Sequence, residues 1–246
     1  EEVAWLNDVC DRLGLDTMSA GNISAFAIEA YSAGKTDFEI EYNQRDRVAD
    51  LFKLIAHRDG IGELFADGIV SAAEELGLSD MAVHVKGLEP AGFDPRVLKG
   101  MGLAYATAAR GACHLRTTFY KAELSGEIDR DLIVGKAKAM IDYEDRATLF
   151  DSLILCRFFR DFVLWDELQA IFEATTGQCY SKEELMSIAN TTSQLTRQFN
   201  MREGVDASFD KLPKRFFAKN EEGASITEEE IAVMLKEYNE LRGSLS

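Results

Sequence analysis

The 246 residues are 46% hydrophobic with only 18 Gly and 3 Pro, enough apolar material for a large core, which excludes a disordered, collagen-like or low-complexity chain. Against 43 Asp and Glu stand 27 Lys and Arg, and the resulting formal charge of −16 disfavours nucleic acid and anionic membrane surfaces as partners. The longest apolar runs, such as Phe162-Val163-Leu164-Trp165, fall far short of the ~20 residues of a membrane helix. The chain opens Glu-Glu-Val-Ala, without an initiator Met or a signal peptide, and reads as a piece of a longer polypeptide.

Val3, Leu6, Val9, Cys10 and Leu13 recur at helical spacing over Glu2 to Leu13, and Gly14 stands where a left-handed cap belongs. A second helix is expected from Ile23 to Tyr31, stopping at Gly34. A third, with Val48, Leu51, Phe52 and Ile55 on one face, stops at Gly60, and a fourth runs from Glu63 to Leu76 before Gly77. Met81 to Lys86 alternates apolar and polar residues and predicts a short extended segment, leading into the turn-rich Gly87-Leu88-Glu89-Pro90-Ala91-Gly92. Two helical domains are therefore expected, 1–83 and 84–246.

Asp94-Pro95 predicts an N-cap and first turn for a helix through Ala109. Leu132 to Met140, Arg146 to Trp165, Leu168 to Ala174 and Glu184 to Phe199 follow as helices. Ser181 with Glu184 and Thr227 with Glu230 fit the capping box, the second opening a terminal helix to Arg242. Sustained heptads and internal repeats are lacking, so the predicted fold is all-α, two packed multihelical domains with few or no strands.

Cys10, Cys113, Cys156 and Cys179 lie too far apart for a zinc knuckle or a redox dithiol. They are expected to be reduced thiols of a cytoplasmic protein, most of them buried.

Three stretches carry residue types suited to chemistry. Asp11-Arg12-Leu13-Gly14-Leu15-Asp16 sits at a predicted helix end. A carboxylate there can accept two parallel N–H bonds from a fork-shaped donor, such as the amino-pyrimidinone edge of a pterin, while Gly14 lets a ligand approach the backbone. The same residues also make an ordinary C-cap with solvated aspartates. Asp151-Ser152-Leu153-Ile154-Leu155-Cys156 repeats that frame later in the chain, with Ile154 in place of the glycine. Two aspartates facing a common ligand would hold a pair of pterin-like groups between the lobes, and Cys156 could reach a neighbouring metal cluster. A Leu-Ile-Leu-Cys run equally suits a helix core. The third stretch, Arg110-Gly111-Ala112-Cys113-His114-Leu115-Arg116, contains one of three histidines. Its imidazole, with a reference pKa of about 6.5, can move a proton at neutral pH or serve a purely structural role. His57 and His84 read as structural, His57 in a helix tail where a cation favours the dipole.

In this order the segments resemble the tungsten- and molybdenum-dependent aldehyde ferredoxin oxidoreductase family. The resemblance runs through Cys10-Asp11-Arg12-Leu13-Gly14-Leu15-Asp16-Thr17, then His84-Val85-Lys86-Gly87-Leu88-Glu89, Asp94-Pro95-Arg96, and Gly102-Leu103-Ala104-Tyr105-Ala106-Thr107. It continues through the His114 and Asp151 stretches and Phe199-Asn200-Met201-Arg202-Glu203-Gly204 to Glu240-Leu241-Arg242-Gly243. It implies two helical domains, the second of the family (1–83, truncated at its start) and the third (84–246), closing over an N-terminal domain that cradles two pterins chelating tungsten or molybdenum.

Carried over residue by residue, Asp11, Gly14, Leu15 and Asp16 would contact one pterin, and Asp151 with Leu155 the other. Cys156 would be one ligand of a [4Fe-4S] cluster, and His114 the proton-transferring residue. The implied activity oxidises an aldehyde and water to a carboxylate, with electrons passing through the cluster to ferredoxin. Implied partners are the N-terminal domain, on the same polypeptide or a separate subunit, together with ferredoxin and the aldehyde, with a homodimer as one assembly open to it.

Three departures bear on this. Ile154 replaces the usual glycine, and the Cys-x-x-Cys-x-x-x-Cys run that supplies the other cluster ligands is absent from this sequence, as is the pterin-cradling domain. The chain alone is therefore expected to hold no tungstopterin or molybdopterin and to be inactive, whether as a C-terminal fragment or as half of a split protein. The competing reading is a non-catalytic helical module that keeps the family fold for assembly or partner binding. It predicts that Asp11, Asp151 and His114 can be replaced without consequence.

Overall fold

A computed structural model describes residues 1–243. These form eleven α-helices, three short 3-10 turns and, as the sole β element among the described residues, an isolated bridge between Val85 and Leu88. The all-α expectation holds. No helix among the described residues is long and apolar enough to cross a membrane. The chain divides into two compact units, Glu1–Ala91 with Leu212–Arg215, and Gly92–Lys211 with Phe216–Ser246.

The first unit contains α1 (Glu2–Leu13), α2 (Thr17–Ser32), α3 (Arg45–His57), α4 (Ile61–Ala66) and α5 (Ile69–Leu76). Its core gathers Ile23, Phe26, Leu51, Ile55, Phe65 and Ile69, with Cys10, Ala20 and Phe52 beside it. α2 begins well before Ile23 because Asp16 caps it, its carboxylate accepting from the Ser19 N–H at 2.8 Å. The expected fourth helix is two: the chain breaks at Gly68, whose φ of 92° few side chains adopt, and Arg58 ties the break by pairing with Asp67 and with Glu63. α3 ends three residues before Gly60, because Arg58 itself takes the left-handed cap conformation at φ 52°. α3 and α4 cross so closely that a β-carbon on Gly62 would lie 2.1 Å from the Leu54 carbonyl. The segment before Ala91 returns to α2, Ser19 donating to Glu89 at 2.9 Å and Asn22 to the Pro90 carbonyl at 3.1 Å. Lys214 and Arg215 join this unit through Asp80 and Glu29.

The second unit contains α6 (Lys99–Thr107), α7 (Tyr120–Ser125), α8 (Lys136–Ser152), α9 (Trp165–Thr176), α10 (Lys182–Arg202) and α11 (Glu228–Arg242). α8 packs on α6, α10 and α11. α6 starts four residues after Pro95 rather than at it, since the Asp94 carboxylate accepts from the Arg96 N–H and guanidinium, both at 2.9 Å, and closes a separate turn. The helices expected at Leu132–Met140 and Arg146–Trp165 are replaced by α8, which bridges the gap and ends at Ser152. Apolar periodicity misleads here because Glu144 and Asp145 point into the core, where Arg242 meets both at 2.7 Å. Both predicted capping boxes form, at Ser181–Glu184 and Thr227–Glu230.

Candidate functional site

Gly14 and Ile154 end α1 and α8 with one hydrogen-bond pattern. The Gly14 N–H donates to the Asp11 carbonyl and the Leu15 N–H to the Cys10 carbonyl, at 3.3 and 2.9 Å. At the end of α8 the Ile154 N–H donates to Asp151 and the Leu155 N–H to Phe150, at 3.2 and 2.8 Å. Each is a Schellman closure, which needs a left-handed residue, and Gly14 and Ile154 supply it with φ of 71° and 57°. Leu13 and Leu15 lean on the Cys10 cluster, as Leu153 and Leu155 lean on the cluster of Leu149 and Trp165. The apolar anchors therefore hold each aspartate at a rigid helix end on the surface.

The two carboxylates differ in their surroundings. Asp11 is exposed and makes no side-chain hydrogen bond or ion pair among the described residues. A β-carbon on Gly14 would meet nothing within 4 Å, so the backbone there is open to a flat ligand. Asp16 keeps one oxygen on the α2 cap. Asp151 lies between two cations, Arg116 and Arg157, the second at 2.8 Å. It borders a cavity of about 410 Å³ whose lining includes Arg110, Arg116, Arg197 and Asn200.

His114 is half-buried, its ring 5.8 Å from Phe93 and 6.4 Å from Tyr120, which stack on each other at 3.9 Å. Burial, reinforced by Arg110 and Arg160, lowers its pKa below the ordinary 6.5, so the imidazole is neutral at pH 7 and able to accept a proton. Arg116, two residues further on, carries the segment to Asp151. Cys156 is exposed at the start of a 3-10 turn over Arg157–Phe159. Cys179 is exposed as well, so only Cys10 and Cys113 are the buried small hydrophobes expected of most of the four thiols; Cys156 and Cys179 lie on irregular chain beyond helix ends, where no core reaches them.

Within the second unit His114, Asp151 and Cys156 are thus linked through Arg116 and Arg157, while Asp11, Gly14, Leu15 and Asp16 lie in the first. Sequence reasoning had Arg116 only as a flank of the His114 stretch, with no partner, and missed Arg157, Phe93 and Tyr120. Arg157 directly follows Cys156, which was the one available signal. No group of three or more His, Cys, Asp or Glu placed to hold an ion occurs among the described residues. A four-iron cluster takes four thiolates, so Cys156 fits such a group as one ligand of a set completed elsewhere, and the Asp11 turn fits a pterin edge.

The family described as aldehyde ferredoxin oxidoreductase, domains 2 and 3, matches residues 1–244, and the chain belongs to it. The tungsten-containing aldehyde ferredoxin oxidoreductase of Pyrococcus furiosus is 32% identical over 254 aligned residues, covering 96% of this chain and 42% of that protein. Its namesake from Thermococcus kodakarensis is 33% identical, covering 85% of this chain and 37% of the relative. The chain thus spans about two fifths of the length of these relatives. Among solved structures, the active-site complex BamBC of benzoyl coenzyme A reductase superposes with a TM-score of 0.74 at 19% identity, over 93% of this chain and 41% of that one, a likeness of fold.

Proposed function

We propose that this chain is the C-terminal part of a tungstopterin or molybdopterin oxidoreductase that converts an aldehyde and water to a carboxylate. The reaction releases two electrons and three protons per aldehyde. The metal and a [4Fe-4S] cluster supply the redox chemistry when bound, with ferredoxin as acceptor in the cytoplasm. The observation that carries the reading is the repeated helix-end closure at Asp11 and Asp151, which presents a carboxylate on a stiff turn twice over.

Asp11, with the open backbone of Gly14 and Leu15 and the free oxygen of Asp16, orients one pterin by accepting its paired N–H groups. Asp151 and Leu155 take the second, Arg116 and Arg157 fixing the position of the Asp151 carboxylate. Cys156 contributes one thiolate to the cluster. His114, kept neutral by burial, accepts a proton at a ring nitrogen as the aldehyde is hydrated and oxidised.

Co-expression with the N-terminal domain of the family under anaerobic, tungstate-supplied growth tests this. The expected product is coloured and holds tungsten or molybdenum. Asp11→Asn and Asp151→Asn lower the metal content, and His114→Gln leaves it intact while reducing turnover. A colourless, metal-free complex refutes the reading and favours the non-catalytic module.

A further inference from the structure

Between α8 and α9 the chain from Ile154 to Leu164 inverts the ordinary arrangement of charged residues outside and aromatic residues inside. Arg157 and Arg160 face inward, their side chains only 16 and 17% exposed, Arg157 meeting Asp151 at 2.8 Å and Arg160 donating to the Arg157 carbonyl at 2.9 Å. Phe158, Phe159 and Phe162 are 83, 57 and 75% exposed, and Ile154 and Leu164 are exposed on either side of them. Cys156 is exposed in their midst.

Fraying does not account for this. Leu155 and Val163 pin the segment to the cluster of Leu149 and Trp165, and its backbone closes on itself. The Phe159 N–H donates to the Cys156 carbonyl at 3.0 Å, and the N–H groups of Phe162 and Val163 both donate to the Phe159 carbonyl at 2.9 Å. Asp161, the remaining charged residue, pairs with Lys121. A fixed turn therefore presents aromatic rings while its charges are engaged. On the usual area of an aromatic side chain the three rings alone offer roughly 300–500 Å², as much as the largest apolar patch of a typical monomer. A standard interface takes ~800 Å² from each partner, so the rings make the centre of a wider contact.

We infer that this face seats the N-terminal part of the family, with Phe158, Phe159 and Phe162 as the apolar centre of the contact. The inference rests on the reading of Cys156 as a cluster ligand given above. Two observations select that occupant. A [4Fe-4S] cluster takes four thiolates, so the polypeptide that brings the other three lies against Cys156 and covers the side chains two residues to either side of it, Ile154 and Phe158. The chain also spans only about two fifths of the length of its relatives, which leaves them ample further polypeptide to cover the face. A small electron carrier fits less well, because such transient contacts are small and steered by charge, and the arginines here are turned inward.

The test is carbene footprinting of the 246-residue chain, alone and co-expressed anaerobically with the N-terminal part of the family. The three phenylalanines are expected to label strongly in the chain alone and to be protected in the complex. In the double variant Phe158→Ser with Phe162→Ser, circular dichroism and the thermal midpoint stay those of the parent while the Kd for the N-terminal part rises at least about tenfold. Cys156→Ser separates docking from ligation, since the complex still forms while its iron content falls. Failure of the parent chain to form the complex, equal labelling in both states, or a double variant that assembles as the parent does overturns the proposal. So does a parent chain that light scattering shows to dimerise through these rings, or a double variant that assembles and binds iron normally yet no longer reduces ferredoxin, because the face would then belong to a second copy or to the electron carrier. Protected rings in a complex without iron would reject the cluster reading of Cys156 while leaving the docking face in place.

Discussion

Ile154 adopts at the end of α8 the left-handed backbone that Gly14 adopts at the end of α1, and it does so with 92% of its surface exposed. A β-branched side chain gains nothing from burial there and crowds its own carbonyl, at a cost of roughly 1–2 kcal/mol. The Schellman closure and the packing of Leu153 and Leu155 hold it in place. Replacing Ile154 by glycine is expected to stabilise the chain by about 1 kcal/mol, a gain reduced by the freedom glycine adds to the unfolded state. Urea unfolding measures it; a loss of stability would mean that the turn depends on the isoleucine side chain.

Gly62 marks the opposite situation, a glycine required by space rather than by φ. With the Leu54 carbonyl carbon and oxygen both 2.1 Å from the site of a β-carbon, Gly62→Ala forces α4 away from α3 and opens the core around Ile55 and Phe65. A destabilisation of about 1–3 kcal/mol is expected. Gly14→Ala meets no neighbour, so its cost is the left-handed backbone alone, again roughly 1 kcal/mol. Thermal unfolding of the two variants separates the mechanisms.

Arg242 neutralises two buried acids from the far end of the sequence. It meets Glu144 and Asp145 at 2.7 Å, while Tyr238 donates to Glu144 at 3.0 Å and Asn190 accepts from its Nη1 at 2.9 Å. Arg242→Met leaves both carboxylates buried without a cation and is expected to cost about 3–5 kcal/mol. The double variant Arg242→Met with Glu144→Gln should recover part of that loss, which a double-mutant cycle reads directly.

His114 supplies the pH dependence. Its folded pKa is lowered by burial first and by Arg110 and Arg160 after it, so the unfolded chain binds its proton more readily than the folded one. The stability contribution is therefore complete above the ordinary pKa of 6.5 and is lost as pH falls through it. NMR titration of the imidazole should show a midpoint below 6.5, moving upward in Arg160→Gln. A midpoint at or above the ordinary value would remove the argument for a neutral proton acceptor at pH 7.

Local sequence determined most of the helices and several of their ends. Ser181 with Glu184, Thr227 with Glu230 and Gly14 act on backbone groups within a few residues, so their signals are complete in the sequence. The motifs also placed the chain in its family. Tertiary structure alone decided where α8 runs and where it stops, because Glu144 and Asp145 look like surface residues until Arg242 arrives from α11, and Ile154 bears no mark of a left-handed turn. The same holds for the cavity lined by Arg146, Arg157 and Arg160, which exists only where α7, α8 and the turn after Cys156 meet. Capping and periodicity are short-range effects that a sequence displays; charge pairing and cavity lining arise from distant residues brought within a few ångströms, which no spacing rule encodes.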